Sequence, residues 1–185
     1  MLDQITELVK QYGGDAIVNN QDVPNEHNEA VMNETSDSIL NGLKGMVANG
    51  NFSDIAGLLN NGSIDSSNPV VKQLTEQLSG NLGQKYGLSS EASSGLAGSI
   101  IPKILGSLIG KAKDPNQPGF DVSDIVKSIG GSNSGGLMDA VTKYGGQFGL
   151  DQNNDGKVDM KDATAAMSGK SGGLLGGLLG KLFGK

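Results

Sequence analysis

Apolar residues recur along this chain at spacings of three and four, which is the period of an α-helix and not the alternation of a strand. The clearest example starts at Asn68-Pro69, a capping residue followed by a proline, and ends at Gly87. Its apolar side chains share one helical face, and they are Val71, Leu74, Leu78 and Leu82. Because no segment alternates like a half-buried strand, the sequence predicts an all-α fold.

The same spacing predicts three helices before this one. The first ends at Gly13-Gly14. The second opens at Gln21 to Pro24, because proline is favoured in a first helical turn, and runs to Asn49-Gly50. A short helix follows over Ser53 to Leu59.

The densest apolar run follows a cap at Ser89 or Ser90 and predicts the central core helix. Pro102 lies inside it, lacks a backbone N–H and clashes with the preceding turn, so we expect a kink or a break near Ser99 to Ile101. The run consists of Leu96, Ile100, Ile101, Ile104, Leu105, Leu108 and Ile109.

A turn-rich segment at residues 114–119, Asp-Pro-Asn-Gln-Pro-Gly, is the strongest interruption of helical pattern in the chain. We expect the boundary of the helical core there. The predicted organisation is a helical core domain (1–113), a linker (114–119), short helices carrying a calcium loop (120–167) and a flexible Gly/Leu/Lys tail (168–185).

Beyond the linker, Asp121 or Ser123 caps a short helix that extends to Ile129. The glycine-rich stretch from Gly130 to Gly136 predicts a loose connection. Leu137 to Phe148 is then expected to form the helix that leads into the calcium loop.

Residues 151–162 read Asp-Gln-Asn-Asn-Asp-Gly-Lys-Val-Asp-Met-Lys-Asp, the pattern of an EF-hand loop. Calcium is a hard cation that takes six to eight oxygen ligands, and this spacing places oxygen donors at loop positions 1, 3, 5, 9 and 12. Position 7 contributes its backbone carbonyl. The predicted metal ligands are Asp151, Asn153, Asp155, Lys157, Asp159 and Asp162.

Two further positions fit the same pattern. Gly156, at position 6, permits the sharp turn that most side chains forbid. Val158, at position 8, is the apolar residue that anchors such loops, and a predicted exit helix from Asp159 to Met167 gives it a core to pack against. A metal-free turn rich in Asn and Asp is the alternative interpretation.

The loop departs from the usual pattern at its last position, where Asp162 replaces the bidentate glutamate. One methylene less makes bidentate reach harder, so we expect weaker Ca²⁺ binding and better tolerance of Mg²⁺. The loop resembles those of dockerin modules, which also carry Asp at position 12 and often Val at position 8. Dockerins pair two such loops, whereas this chain has one, which disfavours a dockerin and a classical calcium switch.

The amino-acid composition excludes or disfavours several kinds of functional site. The chain of 185 residues has no cysteine, which excludes disulfides, thiolate zinc sites and thiol nucleophiles. All fourteen basic residues are lysine, so the bidentate arginine contacts to phosphate and guanine are missing and we expect no nucleic-acid binding. The net charge of −6 is concentrated in the first 60 residues, which hold nine acids and two lysines.

We expect a cytoplasmic protein that can associate peripherally with a membrane. The first residues carry acids where a secretory signal carries basic residues, and no apolar stretch approaches the ~18 residues that span a bilayer. The tail, residues 172–185, repeats Leu-Leu or Leu-Phe every four residues. As a helix it would present one apolar stripe to a membrane surface, a protein partner or its own domain, although its glycines disfavour a helix until something receives it.

No catalytic residue is predicted, and we expect the protein not to be an enzyme. His27 is the only histidine and lies in a stretch rich in Asn and Glu, where a solvated or capping role is expected. Glu26, Glu29 and Glu34 could attract a cation, but a solvated acidic face explains them equally well. No nucleophile elbow or dinucleotide fingerprint is present, so a metal-assisted hydrolase is the most distant alternative.

Several segments together resemble the YidB-like family of small bacterial helical proteins of unassigned function. They are Asn25 to Val31, Asn68 to Val71, Lys85 to Leu88, Ile101-Pro102 and the Asp-Pro turn at 114. The resemblance implies a helical fold and a bacterial source, and it brings no catalytic residues. The fold class we predict is an all-α, multi-helical irregular bundle with a C-terminal single EF-hand-like helix-loop-helix.

The sequence therefore predicts a non-enzymatic calcium-binding helical protein in which the metal orders the C-terminal helices. The alternative is a protein-interaction or membrane-surface module whose calcium is purely structural.

Overall fold

A computed structural model describes residues 1–61, 64–112, 114 and 122–146 of the chain. In these residues every regular element is a helix, which confirms the predicted all-α character. The α-helices are α1 (Leu2–Gly13), α2 (Asn28–Ala48), α3 (Phe52–Asn61), α4 (Pro69–Tyr86), α5 (Ser90–Ala112), α6 (Val122–Gly130) and α7 (Ser134–Gly146).

Local chemistry fixes both ends of α4 as predicted. The side-chain oxygen of Asn68 accepts hydrogen bonds from the backbone N–H groups of Val70 and Val71, at 2.9 and 3.4 Å. At the other end Gly87 adopts the left-handed conformation, with φ of 67°. Because glycine has no Cβ, it enters that conformation without the steric strain other residues meet.

The end of α2 is closed by a second left-handed glycine, Gly50, with φ of 81°. The backbone N–H of Asn51 donates to the carbonyl of Met46 at 2.9 Å, and that of Gly50 donates to Val47 at 3.0 Å. These two bonds form a Schellman motif, which satisfies carbonyls that the helix itself leaves unpaired. The predicted end at Asn49-Gly50 is confirmed.

The predicted start of α2 at Gln21 to Pro24 is wrong. Pro24 has an extended backbone, with φ of −57° and ψ of 133°, and it precedes a 3-10 turn at Asn25–His27. The α-helix begins only at Asn28. Proline sets φ alone, and a ψ near 130° is as compatible with it as a helical ψ is, so Pro24 caps the turn instead of opening the helix.

The loose connection predicted from Gly130 to Gly136 is also wrong. A 3-10 turn at Gly131–Asn133 joins α6 directly to α7, which begins at Ser134 and already includes Gly136. A Cβ on Gly136 would lie 3.1 Å from Cε2 of Phe52. The lack of a side chain therefore allows α7 to pack closely on the ring, and tertiary packing overrides the low helix propensity of glycine.

We predicted a kink or a break near Ser99 to Ile101. Helix α5 continues through Pro102, so a break is wrong, while a kink there stays a prediction. Proline cannot donate to the carbonyl four residues earlier, which belongs to Gly98. Gly98 is exposed and Pro102 is half-buried. Because water can reach the carbonyl on that side, the missing bond does not interrupt the helix.

The core lies between α1, α2, α4 and α5. Helix α5 packs against α1 and α4, while α2 packs against α1, α3, α4 and α6. Among the described elements, α2 packs against more helices than α5 does. Helix α5, predicted as the central core helix, supplies Ile100, Ile101 and Ile104 to the core. The largest fully buried side chains are Ile5, Leu8, Ile17, Ile39, Met46, Ile55, Leu74, Leu78, Leu82, Ile100, Ile101 and Ile104.

One helix in the described part of the chain is long and apolar enough to cross a membrane by length and composition. It is α5, whose 23 residues include an 18-residue window of mean hydropathy 1.3. The expectation that no stretch reaches this length is therefore wrong. Half of that window is buried inside the protein, which is the property of a core helix.

The chain divides into two compact units, Met1–Val141 and Thr142–Lys185. The first unit includes α1 to α6 and the first residues of α7. Of the linker predicted at 114–119, the structure describes Asp114 alone, which is exposed. The domain boundary proposed there stays a prediction.

Candidate functional site

The predicted calcium loop lies outside the described residues, as do its exit helix and the tail. The six predicted metal ligands, Asp151, Asn153, Asp155, Lys157, Asp159 and Asp162, all belong to that part of the chain. Within residues 1–61, 64–112, 114 and 122–146, no three His, Asp or Glu side chains come together as a metal-binding group.

The helix predicted to lead into the loop is present as α7, and its first half is anchored in the first unit. Leu137 and Val141 are buried, at 0% and 4% exposure. The side-chain amide of Asn60, at the end of α3, donates to the carbonyl of Val141 at 3.2 Å. The first predicted ligand, Asp151, follows the last residue of α7, Gly146, by five positions.

A polar cluster joins α2 to α4, and we call its four residues, Glu34, Ser38, Asn81 and Lys85, the Glu34 cluster. One carboxylate oxygen of Glu34 accepts from Asn81 at 2.9 Å and from Ser38 at 3.2 Å. The other accepts from the Lys85 ammonium at 2.7 Å. Asn81 also donates to the hydroxyl of Ser38 at 3.0 Å. Both carboxylate oxygens of Glu34 are therefore satisfied.

The two side chains of the ion pair differ in their exposure to water. The side chain of Glu34 is 9% exposed, whereas that of Lys85 is 56% exposed. The hydrogen bond to Glu34 raises the pKa of Lys85 above its ordinary value, although desolvation opposes part of that increase. The pair thus places a nearly buried carboxylate under an ammonium that water still reaches.

The interpretation of Glu34 as part of a solvated acidic face is therefore wrong, while Glu26 and Glu29 are exposed as expected. A sequence signal for Glu34 existed. It lies one helical turn after the apolar residue Val31, which places it near the apolar face of α2. The burial of Ser38, four residues later, is seen only in the structure. Its partners Asn81 and Lys85 are likewise one helical turn apart on α4.

His27, the only histidine, lies beside Tyr86 with the ring centroids 5.8 Å apart and the planes tilted by 55°. The Tyr86 hydroxyl donates to the carbonyl of Ala30 at 3.2 Å. Nε2 of His27 is 3.9 Å from a carboxylate oxygen of Glu26, which is 81% exposed. These contacts hold the end of α4 against the start of α2.

Among the surface clefts that the described residues form, two lie away from the Glu34 cluster. The larger, of about 400 Å³, is lined by residues of the loop between the first two helices, none of them charged. The smaller, of about 210 Å³, lies between α4 and α5. Its lining includes Lys72 and Glu76, which approach each other to 3.9 Å on the exposed side of α4. Neither cleft gathers groups suited to general acid–base or nucleophilic chemistry.

No protein-family model, curated protein or solved structure matches this chain. The resemblance to the YidB-like family accordingly stays a prediction.

Proposed function

We propose that this chain is a non-enzymatic calcium-binding helical protein in which residues 151–162 hold one Ca²⁺. The observation that carries the proposal is a coincidence in the sequence: five oxygen-bearing side chains, a glycine at position 6 and a valine at position 8 all stand where an EF-hand loop needs them. Each requirement has its own physical reason, so the match is more specific than a cluster of acids.

The donor set suits calcium. Four of the side-chain donors are carboxylates, those of Asp151, Asp155, Asp159 and Asp162, and Asn153 supplies a neutral oxygen. Four like charges gathered by one short loop repel one another unless a cation lies among them. Lys157 contributes only its carbonyl, so its ammonium can point away from the ion.

The role of the metal follows from that repulsion. An ion that binds only when the loop is wrapped stabilises the wrapped state by mass action. We therefore propose that calcium orders the C-terminal helices around the loop.

Calorimetric titration with Ca²⁺ tests the proposal, with Asp151→Ala as the disrupting variant and Gln152→Ala as its control. Gln152 lies in the same loop at a position that donates no ligand. The proposal expects one site in the wild type, no binding in Asp151→Ala and unchanged binding in Gln152→Ala. Equal affinity of the two variants would count against it.

Circular dichroism distinguishes a conditional role of the metal from a static one. If calcium orders the C-terminal helices, adding it to chelator-treated protein increases the helical signal, and EDTA reverses the increase. If the spectrum does not change although calorimetry still detects binding, the ion has a static structural role.

A second candidate function, association with a membrane surface, rests on the apolar repeat of residues 172–185. The stripe carries Lys181 and Lys185 as the charges of this segment, which suits an anionic surface. A chain ending at Gly169 should then bind anionic liposomes less well than the full chain. Equal binding contradicts this candidate and leaves the calcium proposal untouched.

A further inference from the structure

Helix α2 contains one Asn-Gly pair and is followed directly by a second, and the two pairs have very different surroundings. Asn41-Gly42 lies inside the helix, with Gly42 buried against α4, where an added Cβ would lie 2.3 Å from Cδ2 of Leu74. Asn49-Gly50 lies at the C-terminal end, where both residues are exposed and a Cβ on Gly50 would meet nothing within 4 Å.

We propose that Asn49 is a site of spontaneous covalent modification, by deamidation through a cyclic imide. Asn-Gly pairs favour this reaction because glycine has no Cβ to obstruct approach to the backbone nitrogen that acts as nucleophile. Water is the only co-reactant, so no enzyme or cofactor is required.

The backbone nitrogen of Gly50 loses its proton and bonds to Cγ of Asn49, while the Cγ–Nδ2 bond breaks and the amide leaves as ammonia. Water then opens the five-membered imide. Cleavage of the bond between Cγ and nitrogen gives aspartate, and cleavage at the backbone carbonyl gives isoaspartate, in which the chain runs through the side chain.

The structure determines which pair reacts first, because the nucleophilic nitrogen must leave its hydrogen bond. The N–H of Gly50 donates to Val47 at 3.0 Å in the last turn of α2. Opening of a terminal turn requires little free energy. The N–H of Gly42 lies in the helix interior beneath α4, so releasing it requires unfolding of much of the core.

The modification would alter the Schellman motif that ends α2. Either product adds a carboxylate at the C-terminal end of a helix, where negative charge is unfavourable. Isoaspartate also lengthens the backbone between Met46 and Asn51, whose carbonyl and N–H lie 2.9 Å apart. Aged protein should therefore lose this bond and link α2 to α3 less firmly.

Incubating the full-length protein at neutral pH and mapping tryptic peptides tests the proposal. Cleavage at Lys10, Lys44 and Lys72 places Asn41 in peptide 11–44 and Asn49 in peptide 45–72. The second peptide also contains Asn61-Gly62, and fragment-ion spectra distinguish it from Asn49. The proposal expects Asn49 to deamidate at least about tenfold faster than Asn41, with isoaspartate among the products.

The same incubation in concentrated urea is the control, because it removes the protection of the fold while leaving the sequence unchanged. The two pairs should then react at similar rates, and the difference between them should disappear. Similar rates in the native protein, faster reaction at Asn41, or conversion of Asn49 without isoaspartate would overturn the proposal.

Discussion

The ammonium of Lys85 donates a hydrogen bond of 2.7 Å to the nearly buried carboxylate of Glu34, and this contact joins α4 to α2 through two residues that are 51 positions apart in sequence. Glu34 also accepts hydrogen bonds from two further side chains. Asn81 and Ser38 satisfy the second carboxylate oxygen, so the charge of Glu34 is held by three donors. The contact between α2 and α4 therefore combines an apolar surface with a polar edge, where both carboxylate oxygens of Glu34 accept hydrogen bonds.

Replacing Lys85 with Met should lower the free energy of unfolding, because Glu34 would keep only neutral donors for a charge that water scarcely reaches. Lys72→Met is the matched control, since Lys72 lies on the same helix in an exposed pair with Glu76, 3.9 Å away. Exposed pairs of this kind contribute little. Urea denaturation compares the two variants.

A double variant, Glu34→Gln with Lys85→Met, tests whether the unpaired charge of Glu34 causes the loss of stability. Because it removes the buried charge as well as its partner, it should be more stable than Lys85→Met alone. Equal effects of Lys85→Met and Lys72→Met, or a double variant that is the least stable of the three, would contradict this role of the ion pair.

The same pair should make stability depend on alkaline pH. The pKa of Lys85 is raised in the folded protein, chiefly by its hydrogen bond to Glu34. A group whose pKa is higher in the folded state stabilises fully below its unfolded pKa, and that stabilisation is lost as pH rises through the folded pKa. The loss therefore falls above about pH 10, near the ordinary lysine value and beyond.

Unfolding measured between neutral pH and about pH 11 tests this expectation. The wild type should lose stability more steeply than Lys85→Met as the pH rises through this range. Parallel curves would contradict the assigned effect of the pair.

Two glycines in α2 should respond to alanine in opposite directions. A Cβ on Gly42 would lie 2.3 Å from Leu74 and 2.9 Å from the side-chain oxygen of Gln77, so Gly42→Ala should cost about 1–3 kcal/mol. A Cβ on Gly45 would meet nothing within 4 Å, and Gly45→Ala should gain up to about 1 kcal/mol through helix propensity.

Urea unfolding of both variants measures these effects. Similar changes in the two proteins would show that α2 and α4 do not approach closely at Gly42.

Local signals predicted the fold class and most helix ends. Asn68 and Gly87 act through hydrogen bonds and backbone angles within a few residues, so the sequence alone identifies them. The predictions at Pro24 and around Gly136 were wrong because proline and glycine each permit more than one backbone conformation. In the structure the backbone of Pro24 is extended, and Gly136 is helical and packs against Phe52.

The Glu34 cluster shows why polar contacts between helices are harder to predict. Its partners Asn81 and Lys85 lie 47 and 51 residues from Glu34, and no local pattern states which faces will meet. Residues 151–162 are the reverse case. Their ligand spacing is contained in twelve consecutive residues, so the sequence predicts the site although it lies outside the described part of the chain.

Lengthening the last calcium ligand should strengthen binding. Asp162→Glu restores the side chain that usually supplies two oxygens at position 12, so the affinity for Ca²⁺ should rise relative to that for Mg²⁺, which takes fewer and closer ligands. Parallel titrations with the two ions measure the ratio. Lys161→Glu places the same side chain one position earlier and should not reproduce the effect.

The most direct test of calcium binding is anomalous diffraction from crystals of the full chain grown in excess Ca²⁺. We predict one strong peak within residues 151–162, with ligand oxygens at about 2.4 Å from the ion. These oxygens come from the Lys157 carbonyl and from the side chains of Asp151, Asn153, Asp155, Asp159 and Asp162. An ordered segment in which these carboxylates point apart, with no peak between them, would contradict it.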